Sequence, residues 1–442
     1  MELHELGVLD LRAAISSGEA DASEAVAASL DRIDASRSLN AIVEARHQAG
    51  DESRQAKGSL AGVPVIVKDM FVDGGRTPTV GSRICGHWLT GTAEVIERLR
   101  RAGAVVVAYS NLHEWGVGTT SAITATGPIR NPWAPDRVPG GSSGGSAAAL
   151  AAGLAPAAIG TDAGGSIRIP ASCCGVVGLK PTWGVVPTSG WVEGEGAPID
   201  HIGPMARTVP DVRALFEVLV DGKVETVDPA QLRVGIARKH FFEDLDPTFA
   251  RTIEDAIEYL DDVVADVREI EVDAVENGGH AIALLLLPHT ANLLREDLER
   301  RPHDLQPETL NVLMLGAAMQ EADIEQGRAV MEAITVGWEK AFTEVDIVIT
   351  PTTPAPPPLI AEQTYQLRGG ATNAELPNIA LNGPMNLGGV PSLSLPCGKA
   401  PDGLTVNMTL TAARGGDAVL LSLGEALEAA FDGEFANRIA DL

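Results

Sequence analysis

Two glycine–serine clusters carry the residues of this chain that could do chemistry. The first reads Gly140-Gly141-Ser142-Ser143-Gly144-Gly145-Ser146, and the second Thr161-Asp162-Ala163-Gly164-Gly165-Ser166-Ile167-Arg168. Glycine has no Cβ, so both clusters can take positive φ and let backbone N–H groups converge on one point. Converging amides stabilise an anion or a developing oxyanion, and a serine beside them is a candidate nucleophile. Three chemistries compete. A phosphate-binding loop needs G-x-x-x-x-G-K-[ST], and neither cluster has the lysine. A G-x-S-x-G nucleophile elbow is present in form at Gly141–Gly145, with Ser143 as its serine. That elbow needs a long apolar strand before it, whereas Asn131–Pro139 is Pro-rich and polar. The third is a serine hydrolase built on Ser166, in which a second serine and a lysine replace histidine and aspartate. A plain Gly/Ser linker would not enclose the apolar, alanine-rich segment Ala147–Leu154.

The lysine that chemistry needs has one conspicuous candidate. Val63-Pro64-Val65-Ile66-Val67 is a continuous, β-branched run of the kind that forms a buried strand, and Lys68 follows it directly. Only seven of the 33 basic residues are lysines. Burial disfavours the ammonium and would prepare Lys68 to act as a base near neutral pH. On residue type alone, the commoner fate of a strand-end lysine is to reach solvent or to pair with a neighbour such as Asp69.

The ordered segments Gly62–Asp69, Gly140–Ala149, Gly160–Pro170, Gly175–Gly190 and Asp200–Asp211 together resemble the amidase signature family. The resemblance is clear over roughly residues 60–215 and weaker elsewhere, including Gly388–Pro396. It implies an α/β fold with a central mixed, twisted sheet covered by helices on both faces, in one domain over residues 1–442. It also implies Ser166 as nucleophile, Ser142 as a bridging serine behind a cis peptide bond, and Lys68 as base. Ala163, Gly164, Gly165 and Ser166 would form the oxyanion hole, with Ser143, Asp162 and Arg168 behind them. Arg168 is expected to brace the nucleophile turn through a carboxylate rather than to hold a substrate carboxylate. His113 and Glu114 fall in a scaffold motif of that family. No cofactor or metal is implied.

Composition narrows the partners. The 442 residues carry a net charge of −27, 60 acidic against 33 basic, with 45% apolar residues. Phosphate binding needs clustered Lys and Arg, so neither a nucleic acid nor an anionic membrane surface is an expected partner. Met1–Asp10 lacks a basic stretch followed by an apolar one, and no run is long enough for a membrane span. Cys85, Cys173, Cys174 and Cys397 lack zinc-site spacing and are expected as reduced thiols in a cytoplasmic protein.

The elements that must position these groups follow from periodicity. Helices are expected at Val8–Ile15 and from Asp21, where Glu24 completes a capping box. These helices should pack outside the core or at the contact of a homodimer. Thr92–Ala102 and Ala104–Tyr109 continue as helix and strand, then Leu232–Ala237 as strand and Asp246–Asp262 as helix. Residues 240–345 form a helical, substrate-shaping region, with helices at Asp273–Arg295 (kinked or split at Pro288), Leu305–Gly316 and Ala322–Phe342. Asp346–Thr350, Pro391–Pro396 and Leu404–Leu410 are strands, Glu362–Thr372 is a flexible stretch, and Asp417–Phe431 closes the chain as a helix. Glu193–Gly196 reads as a mobile acidic loop at the mouth of the site.

Leu284, Leu285, Leu286, Leu287, Met314 and Met319 are available to line an apolar pocket. The expected reaction is hydrolysis of a small amide, with esters and carbamates (urethanes) as further substrates. Two other functions stay open. One is an amidotransferase component releasing ammonia for aminoacyl-tRNA, which the acidic charge disfavours. The other is a Ser–His–acid hydrolase using Ser143 with His87, His113 or His201.

Overall fold

A computed structural model describes residues 2–192, 199–431 and 438–440. In chain order its strands are β1 (Ile42–Ala45), β2 (Pro64–Lys68), β3 (Val105–Ser110), β4 (Ala157–Asp162), β5 (Val177–Lys180), β6 (His201–Ala206), β7 (Arg233–Ala237) and β8 (Asp266–Ile270). They continue as β9 (Ile347–Pro351), β10 (Thr364–Leu367), β11 (Gly370–Asn373), β12 (Ser392–Lys399) and β13 (Thr405–Ala412). Eleven of them form one mixed sheet in the order β1-β3-β2-β4-β6-β5-β12-β13-β9-β7-β8. Strand β2 runs parallel to both β3 and β4, and β7 parallel to β8 and β9. The pairings from β4 through β6 and β5 to β12 and β13 are antiparallel.

Alternation along β2 explains why both faces are covered. Val65 and Val67 enter a core shared with Val95, Ile96 and Leu99 of the helix Glu94–Arg101 and with Val212 and Leu215 of the helix Val209–Val220. Ile66 enters a second core, with Leu30 and with Ala147–Ala152 around the helix Gly144–Ala151. Side chains alternate across a strand, so Lys68 falls on the Ile66 face, toward the helix that Ser142 and Ser143 precede. Because β2 and β4 are parallel neighbours, Lys68 and Thr161–Asp162 end at the same edge of the sheet. Ligand sites of such sheets form beyond the carboxyl ends of the strands. The helix Gly144–Ala151 is buried along its whole length. A Cβ on Gly145 would sit 2.2 Å from the Asn111 oxygen and 2.5 Å from that of Ala41, so only glycine lets the helix approach so closely.

One element forms as its sequence pattern predicts, and several differ from theirs. The capping box forms, with Asp21 accepting from Ser23 and donating its N–H to Glu24. The helix expected from Asp273 begins at Gly278 and runs to Leu293 with Pro288 inside it. Glu362–Thr372 is not an open stretch: it holds most of the β10–β11 hairpin, which turns through Arg368 and Gly369, with Leu367 paired to Gly370. The helix Glu375–Leu387 has no clear signal in the sequence, because Pro377, Gly383, Pro384 and three asparagines all have low helix propensity. Met314 is 52% exposed and points away from the interior, which removes it from the expected pocket lining, while Leu284 and Leu285 are buried. Glu193–Gly196 lies outside the described residues. Among the described residues no helix is long and apolar enough to cross a membrane.

Candidate functional site

Lys68 is completely buried, and its Nζ donates to Ser142 Oγ at 2.7 Å and to Thr161 Oγ1 at 2.8 Å. Ser142 follows a cis peptide bond from Gly141. The adjacent serine has a different part. Ser143 Oγ donates to the Thr161 carbonyl at 3.2 Å and accepts the Thr161 N–H at 3.3 Å, so it splices the serine turn to the end of β4. Its backbone N–H donates to the Ser166 carbonyl at 3.1 Å, which joins the two glycine–serine clusters. Ser166 is 8% exposed, Ser142 1% and Lys68 not at all. Of the three, Ser166 is the one a substrate can reach.

The loop carrying Ser166 is built around Asp162. Its Oδ1 accepts the Gly165 N–H at 2.7 Å, and its Oδ2 accepts the Ile167 N–H at 3.1 Å, one on each side of Ser166. Arg168 braces the carboxylate through both edges of its fork, Nε to Oδ2 and Nη2 to Oδ1, each at 3.0 Å. Burial alone would raise the Asp162 carboxyl; the Arg168 charge and hydrogen bonds override it and hold the group well below the usual carboxylate range. Arg168 is therefore committed to bracing, fully buried, and not turned toward a substrate.

One of the four expected oxyanion donors is already engaged. The Gly165 N–H is held by Asp162, so Ala163, Gly164 and Ser166 remain as candidate donors. Gly165 contributes its backbone instead, with φ +122°. A Cβ there would lie 2.5 Å from Ile169 Cδ1 and 2.7 Å from Asn382 Cβ. Gly165→Ala is expected to lower kcat by about 100-fold or more, the scale of a lost oxyanion donor, because the loop must shift. Steady-state kinetics beside a melting curve would show it; unchanged kcat would separate this glycine from the site.

The sequence reading missed three residues at the site. Thr161 shares Lys68 with Ser142, and its hydroxyl donates on to Met70 Sδ at 3.5 Å. Asn386 bonds both Asp162 and Arg168. Asn382 packs on Gly165, and its carbonyl accepts from Arg168. Thr161 stood inside the second cluster, and Asn382 and Asn386 repeat at helical spacing with Asn378; that spacing was the available signal.

The histidines take other work. Among the described residues no histidine ring hydrogen-bonds the side chain of Ser142, Ser143 or Ser166. His113 Nδ1 faces the Ser121 N–H at 3.2 Å, and burial together with the Lys68 charge pulls the imidazole down to about 3. His201 is also held well below its ordinary value, by burial first and then by Lys180, whose Nζ lies 3.1 Å from its Nε2. His87 Nδ1 meets the Cys85 carbonyl at 3.2 Å, and its ring packs edge-on against Trp88. Glu114 ties the scaffold to the helical region, accepting from Ser82 Oγ at 2.6 Å and from the Gln306 N–H at 2.8 Å. Among the described residues no cluster of three or more His, Cys, Asp or Glu converges as a metal site.

Known proteins share this arrangement of chain. The Amidase family model matches residues 24–421. A glutamyl-tRNA(Gln) amidotransferase subunit from Chloroflexus aurantiacus is 35% identical over 478 aligned residues, covering 97% of each chain. A crystal structure of an amidase superposes with a TM-score of 0.91 at 31% identity, covering 96% of this chain and 99% of the other. The glutamyl-tRNA(Gln) amidotransferase subunit from Thermotoga maritima superposes with a TM-score of 0.79 at 27% identity, covering 97% and 95%. A mixed sheet flanked by helices, matched over nearly its whole length in sequence and in structure, means that this chain belongs to the amidase (amidase signature) family.

Proposed function

We propose that this chain cleaves the C–N bond of a small amide, with Ser166 as nucleophile, Ser142 as the relaying hydroxyl and Lys68 as base. The observation that carries the reading is the 2.7 Å contact between Lys68 Nζ and Ser142 Oγ, sealed from solvent beside the loop of Ser166. Neutral Lys68 takes the Ser142 proton as Ser142 takes that of Ser166. Ser166 Oγ attacks the amide carbon, and the oxyanion meets the N–H groups of Ala163, Gly164 and Ser166. The relay returns a proton to the leaving amine, and water cleaves the acyl-enzyme by the reverse path. Esters and carbamates fit the same steps. A fluorophosphonate serine probe followed by peptide mapping tests the assignment. A label on Ser166 that weakens in Lys68→Ala supports it; a label on Ser143 overturns it.

The wall beside the nucleophile loop favours an apolar acyl group. A Cβ on Gly164 would lie 3.2 Å from Ile282 Cγ2 and 3.8 Å from Ile379 Cγ2. Hydrocarbon there leaves a charged substituent near the scissile carbonyl without compensation. Ile282→Ala is expected to lower kcat/KM for an apolar primary amide or an anilide about tenfold relative to acetamide. A panel of amides on both chains would show it, and an equal effect on acetamide would sink the apolar assignment. The four cysteines are free thiols, which supports a cytoplasmic location.

The curated relatives carry a second reading, in which the chain is the amidase component of an amidotransferase and releases ammonia from glutamine beside partner chains. They raise it above the weight that the net charge gives it, since an acidic amidase component can leave the tRNA to another chain. The relatives at 35% identity over 97% of each chain support this reading better than that of a free-standing hydrolase. Ammonia release from glutamine, measured on the chain alone and after pull-down of partners, separates the two. Turnover of glutamine but not of apolar amides would select the amidotransferase reading.

A further inference from the structure

The helix Glu375–Leu387 lays three asparagines along one face, four residues apart, and all three are buried. Burying side-chain amides is costly unless their polar groups are bonded; here every amide atom but Asn382 Oδ1 is bonded, and the bonds reach three separate segments. Asn378 Nδ2 donates to Thr119 Oγ1 at 3.2 Å, and its Oδ1 accepts from the Tyr365 hydroxyl at 3.1 Å. Thr119 lies against the Gly141–Ser142 turn, where a Cβ on Gly141 would be 2.9 Å from its carbonyl carbon. Asn382 Nδ2 donates to the Thr352 carbonyl, just past β9, at 2.8 Å.

Asn386 makes the densest set. Its Nδ2 donates to Asp162 Oδ1 at 2.8 Å, to the Asp162 carbonyl at 2.9 Å and to the Ile199 carbonyl at 3.1 Å. Its Oδ1 accepts from Arg168 Nη2 at 2.6 Å. The amide therefore sits between an anion and a cation, donating to one and accepting from the other. An ionised carboxylate lacks the donor, and an alkyl side chain lacks both.

Taking Ser166 as the nucleophile, we infer that Asn386 is a positioning residue for acyl transfer, acting through Asp162 on the peptide groups that flank Ser166. Asp162 fixes the Gly165 and Ile167 N–H groups, so its tilt sets the direction of the Ser166 side chain and of the neighbouring oxyanion donors. The charged and titratable groups facing Asn386 are Asp162 and Arg168 in contact, His201 with Nδ1 at 3.4 Å, and Lys180 behind the His201 ring.

The test uses the full chain as Asn386→Ala and Asn386→Asp, with kinetics, melting curves and the rate of fluorophosphonate labelling. Asn386→Ala is expected to lose about 10- to 100-fold in kcat with KM nearly unchanged, the scale of a hydrogen bond to a charged group. Asn386→Asp adds a readout that a merely structural role would not move. Ionised, the new carboxylate faces that of Asp162; protonated, it regains a donor and mimics the amide. The ratio of its kcat to wild type should rise at least several-fold as pH falls from 9 to 6, the ratio removing the effect of Lys68. A ratio flat with pH, or wild-type kcat in Asn386→Ala, overturns the inference. If Asn386→Ala does not fold, the Asp variant carries the test alone. Wild-type chain left unlabelled at Ser166 would instead overturn the nucleophile assignment, so the two failures are distinguishable.

Discussion

Ser166→Ala is expected to lower kcat by about 10,000-fold or more and to abolish fluorophosphonate labelling, while the chain melts within a few degrees of wild type. The size follows from the step removed. Without Oγ no acyl-enzyme forms, and what survives is the modest rate that oxyanion donors and binding confer on direct attack by water. The small effect on melting follows from position. Ser166 keeps some exposure, its carbonyl rather than its hydroxyl holds the Ser143 N–H, and the loop is fastened by Asp162. Ser143→Ala makes the opposite control. It removes both contacts of the Ser143 hydroxyl with Thr161, so it should cost stability and leave labelling on Ser166. If Ser143→Ala were inactive and unlabelled while Ser166→Ala kept its activity, the elbow at Gly141–Gly145 would be the site after all.

Lys68→Met is expected to cost about 100- to 10,000-fold in kcat, the range for losing a positioned proton acceptor. Methionine preserves most of the stem volume in a site with no exposure and so limits the packing loss. The wild-type pH profile supplies the second half of the prediction. A lysine base is active when neutral, so kcat/KM should rise with pH as Lys68 loses its proton and fall as pH drops. The variant should lack that limb. Neither nearby histidine can produce it between pH 6 and 9, because His113 is held at about 3 and His201 well below its ordinary value, both chiefly by burial. Profiles of both chains from pH 5 to 10 on a neutral amide make the comparison. An acidic limb that persists in Lys68→Met would assign the titration to another group and remove Lys68 as the base.

Local pattern determined much of this protein. Alternation placed Val65 and Val67 in one core and Ile66 in the other, and carried Lys68 to the face of the serine turn. Asp21 and Glu24 announced a helix start that forms as written. The resemblance to the amidase signature family, carried by Gly62–Asp69, Gly140–Ala149 and Gly160–Pro170, implied Lys68, Ser142 and Ser166 as a set. The alternation and the capping box each lie within a few residues of the feature they specify, because steric alternation and capping are short-range effects.

Tertiary structure decided the rest. Whether Lys68 reaches solvent or Ser142 depended on β4 lying beside β2 and presenting Thr161. The Gly165 N–H is held by the Asp162 carboxylate, a contact that spacing alone does not specify. The helix Glu375–Leu387 exists against its own propensity because buried partners hold its asparagines, and the bond from Asn386 to Asp162 spans 224 residues. Net charge fixed the character of the surface without deciding which chains it meets. A contact of that span is not specified by either segment alone: each amide or carboxylate is indistinguishable from an exposed one until packing removes the water that would otherwise satisfy it.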